Sequence, residues 1–363
     1  MRSFTAVVVA ASFIGCGGGS GGSGGSGDGG GGGDAPGPTA DADLAGTTAV
    51  TIIVEPDGSD AAQLVSAIEA ATTSIDMTMY EISDDRIINA LVARAKAGVK
   101  VQAILDGATG SGAQSGVDNK SFNMDAYTKL TAAGVATVWS STAFTFTHEK
   151  TIVIDSATAW IMTMNATTSA PNSNREYLAI DTDPADIAEA TAIFSADHAL
   201  MTISPSGPLV VSNTNARGEL VALIDTATTS LDVEGEEFSD LNSNGIVQAV
   251  TNAANRGVTV HVVVANDDPD PTSINRVKLA GAHVVMTGPS SSDGTTSNPY
   301  IHAKAIVVDC NGTSCARGFV GSENFSTGSL SYNRELGVIV KAPSELAKVK
   351  TAIDTDFAAG VAQ

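Results

Sequence analysis

The chain writes one short pattern twice, and that repetition limits the folds open to it. The first copy is His148-Glu149-Lys150-Thr151-Ile152-Val153-Ile154-Asp155, the second His302-Ala303-Lys304-Ala305-Ile306-Val307-Val308-Asp309. Both read H-x-K-x-x-x-x-D over a β-branched run, which favours a strand. Each is followed by an Asn and then by Asn-Arg-Glu: Asn165 and Asn174-Arg175-Glu176, then Asn324 and Asn333-Arg334-Glu335. Successive side chains on a strand alternate between faces. His148 and Lys150 therefore share a face with Ile152 and Ile154, and Asp155 points the other way; His302, Lys304 and Asp309 repeat this. On an unbroken strand the aspartates stay out of any site, so Asp155 and Asp309 are expected to be structural.

The duplication extends beyond the motif. Ala71-Thr72-Thr73-Ser74-Ile75-Asp76 returns as Ala227-Thr228-Thr229-Ser230-Leu231-Asp232. Ala97-Gly98-Val99-Lys100-Val101 returns as Arg256-Gly257-Val258-Thr259-Val260, a Gly helix stop followed by a strand start. Leu130 to Val135 is matched by Val277 to Val284. Each half reads β-α-β-α-β, a helix, the motif strands and a final helix. The expected class is α/β: two duplicated α/β/α-sandwich halves with mixed β-sheets, related by a pseudo-twofold axis and sharing one active site. The halves run over 48–204 and 205–363, with Pro205, Gly207 and Pro208 at the boundary.

The doubled motif, with its Asn and Asn-Arg-Glu, resembles the HKD signature of the phospholipase D superfamily of phosphodiesterases, over most of the chain from about Thr48. The resemblance implies phosphodiester cleavage through a covalent phosphohistidine. An imidazole can be nucleophile or acid near neutral pH. By the resemblance His148 attacks and His302 is the general acid, which then activates water or a second alcohol; parity and symmetry alone do not choose between them. Lys150, Lys304, Asn165 and Asn324 would hold the phosphoryl oxygens, and Glu176 and Glu335 would orient the histidines. Copy two has the family's Gly-Ser-x-Asn in Gly321-Ser322-Glu323-Asn324, whereas copy one has Met162-Thr163-Met164-Asn165. Thr163 and Ser322 are expected to donate hydroxyls to substrate, and Met162 to narrow the site or shift its preference.

No cofactor or metal is required by this scheme. The sequence has no compact cluster of His, Asp and Glu at ligand spacing, so the activity should resist chelators. Phe146 and Tyr300 stand two residues before the histidines and face the same way; they line the substrate entrance or are ordinary core aromatics. Loops over Asp106 to Lys120 and Thr287 to Pro299 rim the site or are mobile surface turns. His198, His261 and His283 sit in apolar patterns and are read as structural.

Of 363 residues, 40 are Asp or Glu and 19 Lys or Arg, a net charge of −21. Such a surface repels polyanions, and a nucleic-acid partner is not expected. No apolar run after the N-terminus is long enough to span a bilayer. Residues 1–16 read as a signal peptide, and Phe13-Ile14-Gly15-Cys16 resembles a bacterial lipobox. Cys16 then becomes lipidated; plain cleavage and secretion is the alternative. Residues 17–47 form a Gly/Ser-rich linker. Export to the cell envelope as an anchored or secreted monomer follows. Cys310 and Cys315 flank an Asn-Gly turn, as a disulfide in an oxidising compartment or as two free thiols. The expected activity is hydrolysis of phospholipid headgroups. A cardiolipin synthase-like phosphatidyltransferase, a nuclease, and a non-catalytic lipid- or glycan-binding lipoprotein are the alternatives.

Overall fold

The computed structural model describes residues 44–109, 117–267 and 269–363. The leader, Cys16 and the linker up to residue 43 lie outside the described residues, as do 110–116 of the first rim loop.

In the first half β1 (Val50–Glu55), α1 (Ala62–Ala70), β2 (Ser74–Met79), α2 (Asp85–Lys96) and β3 (Lys100–Leu105) alternate. Then come α3 (Asn119–Phe122), α4 (Met124–Ala132), β4 (Ala136–Trp139), β5 (Lys150–Ile154), β6 (Thr158–Met162), α5 (Ala170–Ser173), β7 (Asn174–Asp181) and α6 (Pro184–His198). The second half repeats this with β8 (Val210–Val211), α7 (Ala216–Asp225), β9 (Ser230–Gly235), α8 (Ile246–Asn255), β10 (Thr259–Ala265), α9 (Pro271–Leu279) and β11 (His283–Thr287). It ends with β12 (Tyr300–Ile301), β13 (Lys304–Val308), β14 (Arg317–Gly321), α10 (Thr327–Tyr332), β15 (Leu336–Val340), α11 (Pro343–Ala359) and β16 (Val361–Ala362).

Local chemistry sets these boundaries. Asp84, Asp183 and Asp270 cap α2, α6 and α9 by accepting the N–H two residues on, and Pro184 and Pro271 open the latter two helices. Gly98 and Gly257 follow α2 and α8 at φ +91° and +88°, a left-handed conformation that lets the chain turn straight into a strand.

The sheets have one plan. The first runs β1-β7-β6-β5-β2-β3-β4, and the second β8-β15-β14-β13-β9-β10-β11 with β16 at its edge. In both, the parallel β-α-β strands meet the antiparallel motif strands at the β2–β5 and β9–β13 seams. One apolar cluster fills the outer face of the first sheet under α1, α2 and α4, and another that of the second under α7, α8 and α9. The third lies between the sheets and draws on both, with Ile187 and Ile193 of α6 and Leu346, Val349 and Ile353 of α11. Each half is therefore an α/β/α sandwich, and the inner layers are shared. Residues 44–47, assigned to the linker from sequence, are tied down: Thr47 pairs in parallel with Val340, and Lys341 Nζ donates to Leu44 O at 2.6 Å.

The motif aspartates are structural, though not for the reason that strand parity supplied. The strands stop before them, and Asp155 and Asp309 turn the chain at φ 55° and 51°. Asp155 then accepts from the N–H groups of Thr72, Thr73 and Ser74 and from the hydroxyls of Thr72 and Thr73. Asp309 does the same for Thr228, Thr229 and Ser230. This accounts for the repeated Thr-Thr-Ser. Asp155→Ala should lower stability by about 1–3 kcal/mol, seen as a lower urea midpoint at unchanged m, with activity per folded molecule retained. The Cys310–Cys315 disulfide is formed across the Asn311–Ser314 bridge, in place of free thiols.

Candidate active site

Each histidine is presented by its own half to the other. The segment before His302 forms β12, which pairs in parallel with β7 of the first half, Tyr300 against Asn174 and Ile301 against Arg175. Reciprocally, Thr147 bridges to Arg334, whose N–H donates to Phe146 O at 2.8 Å. Such mutual contacts are what a twofold relation produces. His148 Nδ1 consequently lies 2.7 Å from Glu335 Oε2, and His302 Nδ1 lies 2.8 Å from Glu176 Oε1.

The Asn-Arg-Glu triplets divide this work. Asn174 and Asn333 donate to the Glu two residues on, at 3.0 and 2.9 Å. Arg175 pairs with Asp356 of α11 at 2.6 Å, and Arg334 with Asp197 of α6 at 2.8 Å, each reaching the opposite half's last long helix. The Glu then holds the opposite half's histidine. Thr163 adds a hydrogen bond to Glu176, and Ser329 donates to Glu335 at 2.6 Å.

A cleft of about 1320 Å³ opens over this junction, and His148 and His302 both line it. Asn165 and Asn324 line it too, with amides donating to Glu81 at 3.3 Å and Glu237 at 3.2 Å. Lys150 and Lys304 are wholly buried, each donating to the carbonyl of its histidine, at 2.6 and 2.5 Å. Phe146 and Tyr300 are buried yet line the cleft, as do Gly107, Ala108, Thr109 and Ser291 from the rim loops. His198 Nε2 bonds to Ala136 O and His261 Nδ1 to Asp232, away from the cleft.

Three expectations are corrected. Thr163 and Ser322 do not reach the cleft: both are fully buried, Thr163 bonded to Glu176 and Tyr177, and Ser322 to the backbone of Leu336. Met162 does not narrow the site, because it is buried in the apolar cluster beneath the first sheet. Its counterpart Gly321 is small for packing rather than for phosphate: a Cβ there would stand 2.6 Å from the Gly337 Cα on the adjacent strand.

Sequence reasoning missed Tyr80, Glu81, Asp106, Glu236 and Glu237, all of which line the cleft. A signal existed, since Glu81 and Glu237 follow the repeated Ser-x-Asp blocks at equal distance. Asp106 fixes the approach to His148 by accepting from Thr147 N–H at 2.8 Å. Tyr80 sets its ring edge-on to His148, centroids 4.5 Å apart, and 4.8 Å from Lys150 Nζ. Glu236 Oε2 accepts from Lys304 Nζ at 2.8 Å and stands 3.6 Å from His302 Nε2.

Burial dominates the electrostatics. It pushes His148 down to about 4, with Glu335 opposing and Lys150 assisting. It brings Lys150 down to about 7, helped by Lys304. Burial also works to raise Glu335, but His148 and Lys150 hold its carboxyl below the usual range. Among the described residues lining the cleft, every charged side chain apart from the histidines is a carboxylate: Glu81, Asp106, Glu236 and Glu237. No group of three or more His, Cys, Asp or Glu able to hold a metal ion occurs among the described residues. Two anchored imidazoles, with ammonium and amide groups behind and beside them, can take a group onto nitrogen and hand a proton to what leaves.

A family model described as "Cardiolipin synthase, PLD-like domain" matches residues 64–198 and 220–358, one copy per half. No curated protein matches the sequence. Among solved structures, phosphatidylserine synthase from Haemophilus influenzae aligns over 88% of this chain and 89% of its own, at 11% identity and a TM-score of 0.62. Polyphosphate kinase from Porphyromonas gingivalis aligns over 84% of this chain at 16% identity and a TM-score of 0.61. This chain spans only 46% of that kinase. At such identities the likeness is one of fold. With the two matched repeats and the strand plan they share, the chain belongs to the phospholipase D superfamily.

Proposed function

We propose that the protein is a phosphodiesterase that hydrolyses phospholipid headgroups through a covalent phosphohistidine. The observation that carries the reading is that two histidines, each held at Nδ1 by the opposite half's glutamate, line one cleft. With Nδ1 engaged, Nε2 is the nitrogen left for chemistry. His148 Nε2 bonds to phosphorus as the bond from phosphorus to the leaving oxygen breaks, and that oxygen takes a proton from His302 Nε2. Water then gives a proton to His302 as its oxygen bonds to phosphorus, and the P–N bond breaks. Asn165 and Asn324, which line the cleft, stabilise charge on the phosphoryl oxygens, and the buried Lys150 and Lys304 act on that charge from behind the histidines.

The surroundings favour a lipid. Phe122 and Tyr332 line the cleft while staying 46% and 60% exposed, offering apolar surface to acyl chains. The carboxylate lining disfavours a polyanion such as nucleic acid. An anchor at Cys16 would keep the site at a bilayer surface. Transfer to an alcohol instead of water is the second reading, favoured by the description of the family model that matches both halves.

The test is product analysis with the purified protein on phosphatidylcholine, phosphatidylglycerol and single-stranded DNA, with and without added glycerol. Free headgroup plus phosphatidic acid is expected. A new phosphatidyl ester formed in preference to phosphatidic acid would establish the transferase, and cleavage of DNA alone would overturn the lipid reading.

A further inference from the structure

Positions 80 and 236 are the same place in the two halves, each directly following its parallel strand, β2 or β9. What stands there differs. Tyr80 gives His148 and Lys150 an aromatic neighbour without charge. Glu236 gives His302 and Lys304 a carboxylate, with Oε1 accepting from Tyr300 OH at 2.8 Å and Oε2 turned to Lys304 and to His302 Nε2. His302 thus stands between two carboxylates, Glu176 at Nδ1 and Glu236 near Nε2, while among the described residues His148 has only the carboxylate of Glu335 at hydrogen-bond distance. The other charged interactions on the pair are Lys304 and Glu81 on His302, and Lys150, Lys304 and, less strongly than on His302, Glu236 itself on His148.

We propose that Glu236 is the positioning residue that decides which histidine enters the reaction protonated: it keeps the proton on His302 Nε2 and leaves neutral His148 to attack. This rests on the phosphohistidine reading above and adds what breaks the symmetry between two otherwise matched halves. An opposite charge within about 4–6 Å favours the charged form by roughly ten- to a thousand-fold. Burial would raise Glu236, but Lys304 and His302 hold it well below the carboxylate range, so it is ionised near neutral pH. The low value of His148 agrees with the assignment.

The exchange Tyr80→Glu with Glu236→Tyr tests this, because it swaps the two environments. A short-chain phosphatidylcholine is turned over by the full chain, quenched in alkali and digested, and the histidine carrying the phosphatidyl adduct is found by mass spectrometry. The adduct is expected on His148 in the parent and on His302 after the exchange. An adduct that stays on His148 overturns the proposal. Should the exchanged chain fail to fold, Glu236→Gln decides. Its alkaline limb of kcat/KM should move about one pH unit lower, with most of the rate kept below the limb and part of the shift reversed by Glu236→Asp. A uniform loss with an unmoved limb would show a merely structural role and overturn the idea. A parent that forms no adduct and turns over no phosphodiester overturns the phosphodiesterase reading itself, and the proposal with it.

Discussion

His148→Ala is expected to abolish turnover, by at least about 10⁴-fold, whatever the leaving group, because the attacking nitrogen is lost while His302, the other anchored imidazole of the cleft, is kept as the acid by Glu236. His302→Ala should differ in kind. A phosphodiester with an alcohol leaving group needs a proton from His302 and should be turned over about 10³- to 10⁴-fold more slowly, at the upper end of what a general acid supplies. A p-nitrophenyl diester needs no such proton, so the first step should survive as a burst of one equivalent of nitrophenol, after which the adduct persists for want of a base. Stopped-flow absorbance separates the cases. Equal loss in the two variants with both substrates would remove the division of labour between the histidines.

The second large effect crosses the molecule. Glu335 lies in the second half, yet it orients the histidine of the first. Glu335→Gln should therefore reproduce the defect of a weakened His148: a drop of about 10²- to 10⁴-fold in kcat with little change in KM, since Gln cannot hold the same tautomer or support the developing positive charge. Combined with His148→Ala it should cost almost nothing more, because the two act as one unit. Combined with His302→Ala the losses should accumulate. Glu176→Gln should show the mirror pattern, coupled to His302 and not to His148. If each glutamate instead coupled to the histidine of its own half, the crossed arrangement would be wrong in solution. Ser329, which donates to Glu335, gives a milder probe in Ser329→Ala.

Gly98 and Gly257, the Thr-Thr-Ser blocks and the β-branched runs are local signals, so the order of elements and the duplication were readable. The motif histidines, lysines and asparagines could be named because their chemistry and spacing repeat. Thr163, Ser322 and Met162 were misassigned because a strand side chain's face is known only relative to its neighbours until the layers above and below it are placed. Gly321 is small because β15 passes against it, a constraint that appears only once the strands are paired.

By itself the sequence determined the α/β class, the two halves and the repeated His, Lys, Asn and Glu that the fold gathers at or behind one cleft, since these follow from propensity, periodicity and repetition along the chain. Tertiary structure alone decided that β12 crosses to the first half, that each glutamate serves the other half's histidine, and that Tyr80 and Glu236 give two matched histidines unlike neighbours. Those facts depend on which surfaces meet across the pseudo-twofold axis. A contact between residues 187 positions apart, such as His148 with Glu335, comes from the packing of whole layers and leaves no trace in the residues next to either one.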